Sequence, residues 1–312
     1  MDVHVQHADK LAAFPYIFYN AIKVISIMVE SAGILFALIA ALAWGSSLVP
    51  FKLAGKFDDT RYTAFVTLGI FLSTLLAMPF LNFAFTFNWY GLISGIMWAV
   101  SNVFAVTSIR LIGLSRQTPI IGGLIILASF LWGILFFQEQ LTSIIFALIG
   151  IVFLILGIPL VMAKENKSKI SVKGLAYAAI AGIIFGSYVT PLKLSGVQIS
   201  EYIFSMVSGI LLTGWIVYLV SLRLKRQKMN FTRITYGMSS GVLWTIGNIT
   251  SLFAINSLGL GIGFPLTQLQ LLIGVAWGVF YFKEVKEKQA TVKIIFGAVL
   301  LLLGAIFLTL SK

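Results

Sequence analysis

The chain has 312 residues, of which 59% are hydrophobic and only 10% are charged, and its mean hydropathy is +1.01. A soluble domain of this length cannot bury so much apolar surface, so the composition predicts a protein that is embedded in a lipid bilayer. The net charge of +12 does not indicate a nucleic-acid partner, because the lysines and arginines lie in short segments between apolar runs.

Ten apolar segments of about 20 residues, the length that a helix needs to cross a bilayer, follow one another along the chain. Their apolar residues do not alternate as in the strands of a barrel, so we predict helices. The first five occupy approximately 32–51, 62–84, 89–110, 117–137 and 141–163. The other five occupy approximately 173–192, 202–222, 234–256, 262–282 and 290–310. The predicted fold is an all-α membrane protein with ten transmembrane helices.

Before the first segment, residues 1–30 form an N-terminal extension that is either interfacial or dispensable. Met28 stands just ahead of the first predicted helix and is an alternative start to Met1.

The second half of the sequence repeats the first. The pattern Gly-Ser followed by Pro-x-Lys-Leu-x-Gly begins at Gly45 and returns at Gly186, 141 residues later. A pattern of two glycines, a tryptophan and an asparagine begins at Gly91 and returns at Gly237, 146 residues later. Such duplication is typical of secondary transporters, whose substrate sites lie where the repeats meet.

Five helices per repeat is an odd number, so the second copy is expected to enter the membrane from the opposite face. We therefore predict two inverted five-helix repeats, residues 31–163 and 173–312, joined by the polar linker 164–172. The loops on one side of the predicted helices hold 18 of the 22 basic residues. By the positive-inside rule this side is cytoplasmic, which places both termini outside in a multi-pass plasma-membrane protein.

The candidate substrate site is built from polar and aromatic residues in the middle of predicted helices. Trp98 and Asn102 lie four residues apart on one helical face, and Trp244 and Asn248 repeat this arrangement. The two pairs are expected to converge on one cavity, where aromatic faces and amides suit a sugar or polyol. The open alternative is that the amides only hold helices together.

Prolines occur at matched positions in the fourth and ninth predicted helices, and candidate substrate-binding residues follow the second of them. Thr267 and Gln268 follow Pro265, whose counterpart in the first half is Pro119. Matched prolines predict a broken helix in each half, which in transporters points to the substrate site.

Four charged residues also recur in the two halves. Lys52 and Lys193 are counterparts, and inversion places them at opposite faces of the membrane. Their ammonium groups either extend to the interface or act at a gate. Glu139 and Glu284 end the fourth and ninth predicted helices, as interfacial caps or as gate or coupling groups.

Other functional classes find little support. All ten carboxylates lie in tails, loops or helix ends, so proton coupling is unsupported and export of cationic drugs is disfavoured. The chain has no cysteine, and His4 and His7 both lie in the N-terminal tail. Because we find no phosphate-binding loop, metal-ligand cluster or nucleophile–base arrangement, we expect no enzyme activity, no metal and no cofactor.

The chain resembles the drug/metabolite transporter superfamily, and within it the glucose/ribose porter family. The resemblance covers about residues 31–310 and is carried by several motifs. These are Trp44-Gly45-Ser46 with Val49-Pro50 and Lys52, Gly95-x-x-Trp98-x-x-x-Asn102, Gly241-x-x-Trp244-x-x-Gly247-Asn248, Leu258-Gly259, Phe264-Pro265-x-Thr267-Gln268, Trp277-Gly278 and Phe282-Lys283-Glu284. It implies a sugar carrier, and Trp44 joins the expected substrate-binding residues.

These features favour a secondary transporter that moves a small neutral polar metabolite, in first place a sugar such as glucose or ribose, by alternating access. The alternatives are an amino-acid or other metabolite exporter of the same fold and a membrane scaffold that does not transport. The expected partners are the small-molecule substrate and the bilayer. The sequence does not specify the direction of transport, the coupling ion or the oligomeric state.

Overall fold

The computed structural model describes residues 31–163, 170–222, 231–258 and 260–311. The predicted N-terminal extension and most of the predicted linker, residues 164–169, lie outside the described residues. Within the described ranges all regular secondary structure is helical, and no strand is present.

We number the helices in chain order. The first half contains α1 (Ser31–Leu53, with a turn at 47–48), α2 (Asp59–Ala77, continued by a 3₁₀ turn at Met78–Leu81), α3 (Trp89–Ile112), α4 (Leu114–Leu131, continued by a π-helical turn at Trp132–Phe136) and α5 (Ile144–Val161). The second half contains α6 (Val172–Ser195, with a turn at 188–189), α7 (Ile199–Leu222), α8 (Phe231–Leu258), α9 (Leu260–Thr267), α10 (Gln270–Ala276, continued by a π-helical turn at Trp277–Tyr281) and α11 (Lys288–Leu310).

Among the described residues, nine helices are long and apolar enough to cross a membrane, namely α1 to α8 and α11. The protein is thus an all-helical, multi-pass membrane protein. The predicted segment 262–282 consists instead of two short helices, α9 and α10, with a turn at 268–269 between them.

The prediction of a broken helix at Pro119 is wrong, because α4 runs without interruption from Leu114 to Leu131. Pro119 stands only five residues after the start of α4, so its missing N–H removes a single hydrogen bond near the helix end. In the second half, the interruption follows Pro265 by three residues, at the turn between α9 and α10.

Side-chain caps set the starts of several helices. Asp58 accepts hydrogen bonds from two backbone N–H groups at the start of α2, and Asn88 does the same for α3. Ser143 caps α5 and Ser171 caps α6 in the same manner. Each cap satisfies backbone donors that the first helical turn leaves without a partner, which matters where water is scarce.

The halves pack against each other through glycines. Helix α3 lies against α7, and a Cβ atom added to Gly95 would come within 3.0 Å of the backbone of α7 at Met206. Helix α8 lies against α2, and a Cβ atom on Gly241 would meet the backbone at Val66 equally closely. Gly95 and Gly241 are counterparts in the duplicated sequence, so small-residue packing follows the repeat, as the small-x-x-x-small spacing predicts.

Candidate functional site

A cavity of about 280 Å³ lies between the two halves of the protein. Helices α1, α3 and α4 of the first half and α6, α8, α9 and α10 of the second half contribute to its wall. The lining residues are Trp44, Gly45, Ser47, Leu48, Trp98, Asn102, Ala105, Gln117, Thr118, Ile121, Gly122, Ile125, Ser129, Phe185, Tyr188, Val189, Trp244, Asn248, Phe264, Gln268, Gln270 and Leu271.

Aromatic rings from both halves meet in this wall. The rings of Trp98 and Trp244 pack edge to face, with their centroids 4.8 Å apart. The centroid of the Phe185 ring lies 5.7 Å from that of Trp98. The Nε1 atom of Trp44 is buried and has no hydrogen-bond partner within the described part of the chain. This atom packs against Gly247 of α8, since a Cβ atom built there would lie 2.6 Å from it.

The two asparagines line the same cavity and are held loosely. The Asn102 side-chain amide donates to the Thr63 hydroxyl over 3.3 Å, and the Asn248 amide donates to the Trp244 carbonyl over 3.3 Å. Both distances exceed the usual 2.7–3.2 Å range for N–H···O hydrogen bonds. Either amide could therefore exchange its present partner for a ligand hydroxyl at low cost.

Thr267 and Gln268 differ in their placement. Gln268 lines the cavity, whereas Thr267 is fully buried and is not part of the lining. The Thr267 hydroxyl donates to the Phe264 carbonyl over 2.7 Å and accepts a hydrogen bond from the Gln268 amide over 3.2 Å. Thr267 thus positions Gln268.

Sequence reasoning missed several polar residues of the cavity. Gln117 is buried, lines the cavity and accepts a hydrogen bond from the Thr118 hydroxyl over 3.2 Å. The available signal is an amide two residues before Pro119, but Gln117 is also the first residue of the predicted segment 117–137, where a polar side chain is ordinary. Tyr188 and Ser47 occupy the turns within α6 and α1, which hydropathy does not reveal.

The four recurring charged residues form two ion pairs that join the halves. The Lys52 ammonium lies 2.8 Å from a carboxylate oxygen of Glu284, and the Lys193 ammonium pairs with Glu139. Each pair therefore joins a lysine from one half to a glutamate from the other. Sequence analysis considered these residues separately, because nothing in the sequence connects positions so far apart.

Glu284 also accepts hydrogen bonds from a helix terminus, in addition to forming its ion pair. Its two carboxylate oxygens accept hydrogen bonds from the backbone N–H groups of Leu114 and Ser115, each over 2.8 Å. It thus caps α4, a helix of the other half, where the helix dipole favours negative charge. Gly113, the residue between α3 and α4, has a φ of +81°, and a Cβ atom there would lie 2.7 Å from a carboxylate oxygen of Glu284.

A tryptophan accompanies each ion pair. The Trp277 indole N–H donates to the Ser46 hydroxyl over 2.9 Å, and the Trp132 indole N–H donates to the Ser187 hydroxyl over 2.8 Å. A second cavity of about 180 Å³ lies between Trp132 and the Lys193–Glu139 pair. It shares two lining residues with the larger cavity, so the two spaces are neighbours.

Within the described ranges, no three histidine, aspartate or glutamate side chains gather in a way that could hold a metal ion. The chemistry available at the larger cavity is stacking on aromatic faces and hydrogen bonding by amides and hydroxyls.

Comparison with known proteins gives related chains over nearly the whole length. The chain is 29% identical over 294 residues to a protein of Priestia megaterium named probable glucose uptake protein GlcU. The aligned region covers 89% of this chain and 99% of that protein. It is 26% identical over 288 residues to the glucose uptake protein GlcU of Staphylococcus xylosus, with 89% and 98% covered.

A solved protein crystal structure superposes with a TM-score of 0.60 at 16% sequence identity, over 86% of this chain and 96% of that one, which shows a shared fold. Residues 35–311 match the family described as sugar transport protein. Because this match spans most of the chain, the protein belongs to the sugar transport protein family, whose members carry sugars across membranes.

Proposed function

We propose that this membrane sugar transporter carries a neutral monosaccharide, glucose in first place, across the plasma membrane through the cavity between its two halves. The observation that carries this proposal is the cavity wall, in which paired tryptophans and asparagines face one space and no described lining residue is charged. Two relatives named glucose uptake protein support glucose as the first candidate.

The chemistry of the wall fits such a substrate. The C–H faces of a sugar ring stack on indole rings, and its hydroxyls exchange hydrogen bonds with amides. A charged substrate would be left without a counter-ion in this space, which is costly inside a membrane. The volume of about 280 Å³ is slightly below the usual range for drug-sized ligands, roughly 300–1,000 Å³, and so favours one monosaccharide unit.

We further propose that the protein has ten membrane-spanning units, arranged as inverted repeats over residues 31–163 and 173–312. Helices α9 and α10 form the ninth unit, since residues 260–281 would extend over about 33 Å at 1.5 Å per residue. Matched contacts support the repeat. Tyr62 of α2 hydrogen-bonds Ser240 of α8, and their counterparts Tyr202 of α7 and Ser94 of α3 hydrogen-bond each other.

The two Lys–Glu pairs serve in this proposal as gates at opposite faces of the membrane. The Lys52–Glu284 pair belongs to the side with most basic residues, which we assign to the cytoplasm, and Lys193–Glu139 belongs to the outer side. Because each pair joins the two halves, a rocking movement that opens one face must separate the pair at that face.

The cavity contains no obvious proton carrier. None of its described lining residues is an aspartate, a glutamate or a histidine. We therefore propose facilitated uniport, in which the sugar gradient alone drives transport.

Binding to the purified protein tests the substrate class. Since three tryptophans line the cavity, we expect D-glucose and D-ribose to change the intrinsic tryptophan fluorescence saturably, whereas neutral L-amino acids leave it unchanged. Trp98→Phe with Trp244→Phe should remove most of the signal, while Trp215→Phe, away from the cavity, should keep it. A saturable response to amino acids and none to sugars would contradict the proposal.

A further inference from the structure

The two halves differ in one place that matters for the cavity. In the first half, Trp132 follows Pro119 by 13 residues, whereas in the second half Trp277 follows Pro265 by 12. One residue fewer in a helix turns everything beyond it by about 100°. The chain nevertheless brings Trp132 and Trp277 into matching hydrogen bonds with Ser187 and Ser46.

The interruption between α9 and α10 accompanies this shorter segment. Helix α4 is continuous over the longer segment of the first half, whereas the second half has a turn at 268–269. The turn resets the helical register, so that the following tryptophan returns to the position that the repeat requires.

The turn also places two amides in the cavity. Gln268 and Gln270 both line it, and the side-chain amide N–H of Gln270 donates to the side-chain oxygen Oε1 of Gln268 over 3.4 Å. In a continuous helix, side chains two positions apart point about 200° apart and cannot face the same space. The segment of α4 between Pro119 and Trp132 contains no amide side chain, so this feature has no counterpart across the repeat.

Two of the other contacts of the cavity are paired by the repeat, whereas Gln117 is a further amide that the first half alone supplies. Trp98 and Trp244 are counterparts, as are Asn102 and Asn248. A hexose has no two-fold symmetry, so paired contacts of this kind hold a ring without fixing which end faces which half. Only groups that one half alone supplies can distinguish the hydroxyls at one end of the sugar from those at the other.

We propose that the turn between α9 and α10, through the glutamine pair Gln268 and Gln270, determines which monosaccharide the carrier accepts. The inference rests on the proposed function, since it takes the cavity as the sugar site. In this account, the paired tryptophans and asparagines bind monosaccharides in general. The two amides then form hydrogen bonds with particular hydroxyls at one end of the ring. A sugar in which such a hydroxyl is missing or inverted binds less tightly, because it leaves a buried amide without its partner.

The test compares selectivity in the purified protein and in proteoliposomes. Transport of D-glucose is compared with that of D-galactose, D-mannose and 2-deoxy-D-glucose in the unmodified protein, Gln268→Ala and Gln270→Ala. Asn102→Ala and Asn248→Ala serve as matched controls in the same cavity. We expect the glutamine variants to reduce the preference for the best substrate by about tenfold, mainly by raising the KM for that substrate. The asparagine variants should lower the transport of all four sugars by the same factor.

Several outcomes would overturn the inference. They are equal transport of all four sugars by the unmodified protein, unchanged ratios in both glutamine variants, and altered ratios in the asparagine variants only. If a glutamine variant does not transport, its affinities for the four sugars from tryptophan fluorescence give the ratio instead, and an unchanged ratio again overturns the inference. A protein that neither binds nor transports any sugar would refute the proposed function itself.

Discussion

Asn102 and Asn248 illustrate how one residue type can serve either binding or packing. Asn102 is buried in the middle of α3, where an amide could hold helices together through its contact with Thr63. That contact is long, and the side chain also faces the cavity. The neighbouring Ser101 is buried too, but its hydroxyl donates to the Ala181 carbonyl over 2.7 Å and is not part of the lining of this cavity.

This pair of neighbours separates binding from packing. Asn102→Leu should lower kcat/KM for D-glucose by about tenfold or more while leaving the melting temperature nearly unchanged, because it removes a ligand contact and only a weak internal one. Ser101→Ala should do the opposite, with a loss of about 1 kcal/mol in stability and little change in transport. Transport assays beside thermal unfolding in detergent measure both. Parallel losses of folded protein and transport in Asn102→Leu would indicate packing instead.

At the scale of helices, the ends of the α4 and α10 segments are alike. Both pass through a π-helical turn, and the residues that follow, Gln138 and Lys283, have positive φ values of 51° and 50°. This backbone turns Glu139 and Glu284 back towards the lysines of the opposite half. Left-handed backbone at a non-glycine residue is costly, so its presence at both ends is consistent with a functional demand on the two ion pairs.

Breaking one ion pair should favour opening at that face. Lys193→Met should increase the labelling of a cysteine at Ser129 by an impermeant maleimide added from outside, since Ser129 lines both cavities and the proposal assigns the Lys193–Glu139 pair to the outer face. Lys52→Met should decrease the labelling, because it breaks the pair that the proposal assigns to the cytoplasmic face, while Glu284 still caps α4. The chain has no native cysteine to interfere. Equal labelling in both variants, or the reverse order, would contradict the gate assignment.

Sequence patterns predict these elements unevenly. Helices such as α5 and α11 could be placed because long apolar runs in a membrane leave no alternative to helix. The prediction of a break at Pro119 was wrong, because a proline interrupts a helix only where the loss of its hydrogen bond is not tolerated. Near the start of α4 this loss is tolerated.

Part of the candidate site could be predicted from recurring motifs and from the residues after Pro265, and the rest could not. Trp98 and Asn102 could be proposed as site residues because their spacing recurs in the second half. Gln117 and the ion pair of Lys52 with Glu284 were missed, since they depend on contacts between helices that sequence spacing does not encode. The turn at 268–269 follows from a single missing residue, whose meaning becomes visible only beside the continuous α4.

At the scale of the whole molecule, a cavity lies between the two halves, and two ion pairs join these halves. Both pairs are formed in this structure, and in the proposed transport cycle each pair breaks when its own face opens to give one of two open forms. Since no described residue of the cavity wall can load and release a proton near neutral pH, movement between these forms should depend on the sugar alone.

Counterflow of D-glucose in proteoliposomes tests this claim most directly. Vesicles are loaded with unlabelled D-glucose and diluted into a trace of labelled D-glucose without any ion gradient. The account predicts a transient accumulation of label above its equilibrium level, unchanged by a protonophore and absent in Asn102→Leu with Asn248→Leu. Absence of counterflow in the unmodified protein, or accumulation only under an imposed pH gradient, would contradict a sugar uniporter that works by alternating access.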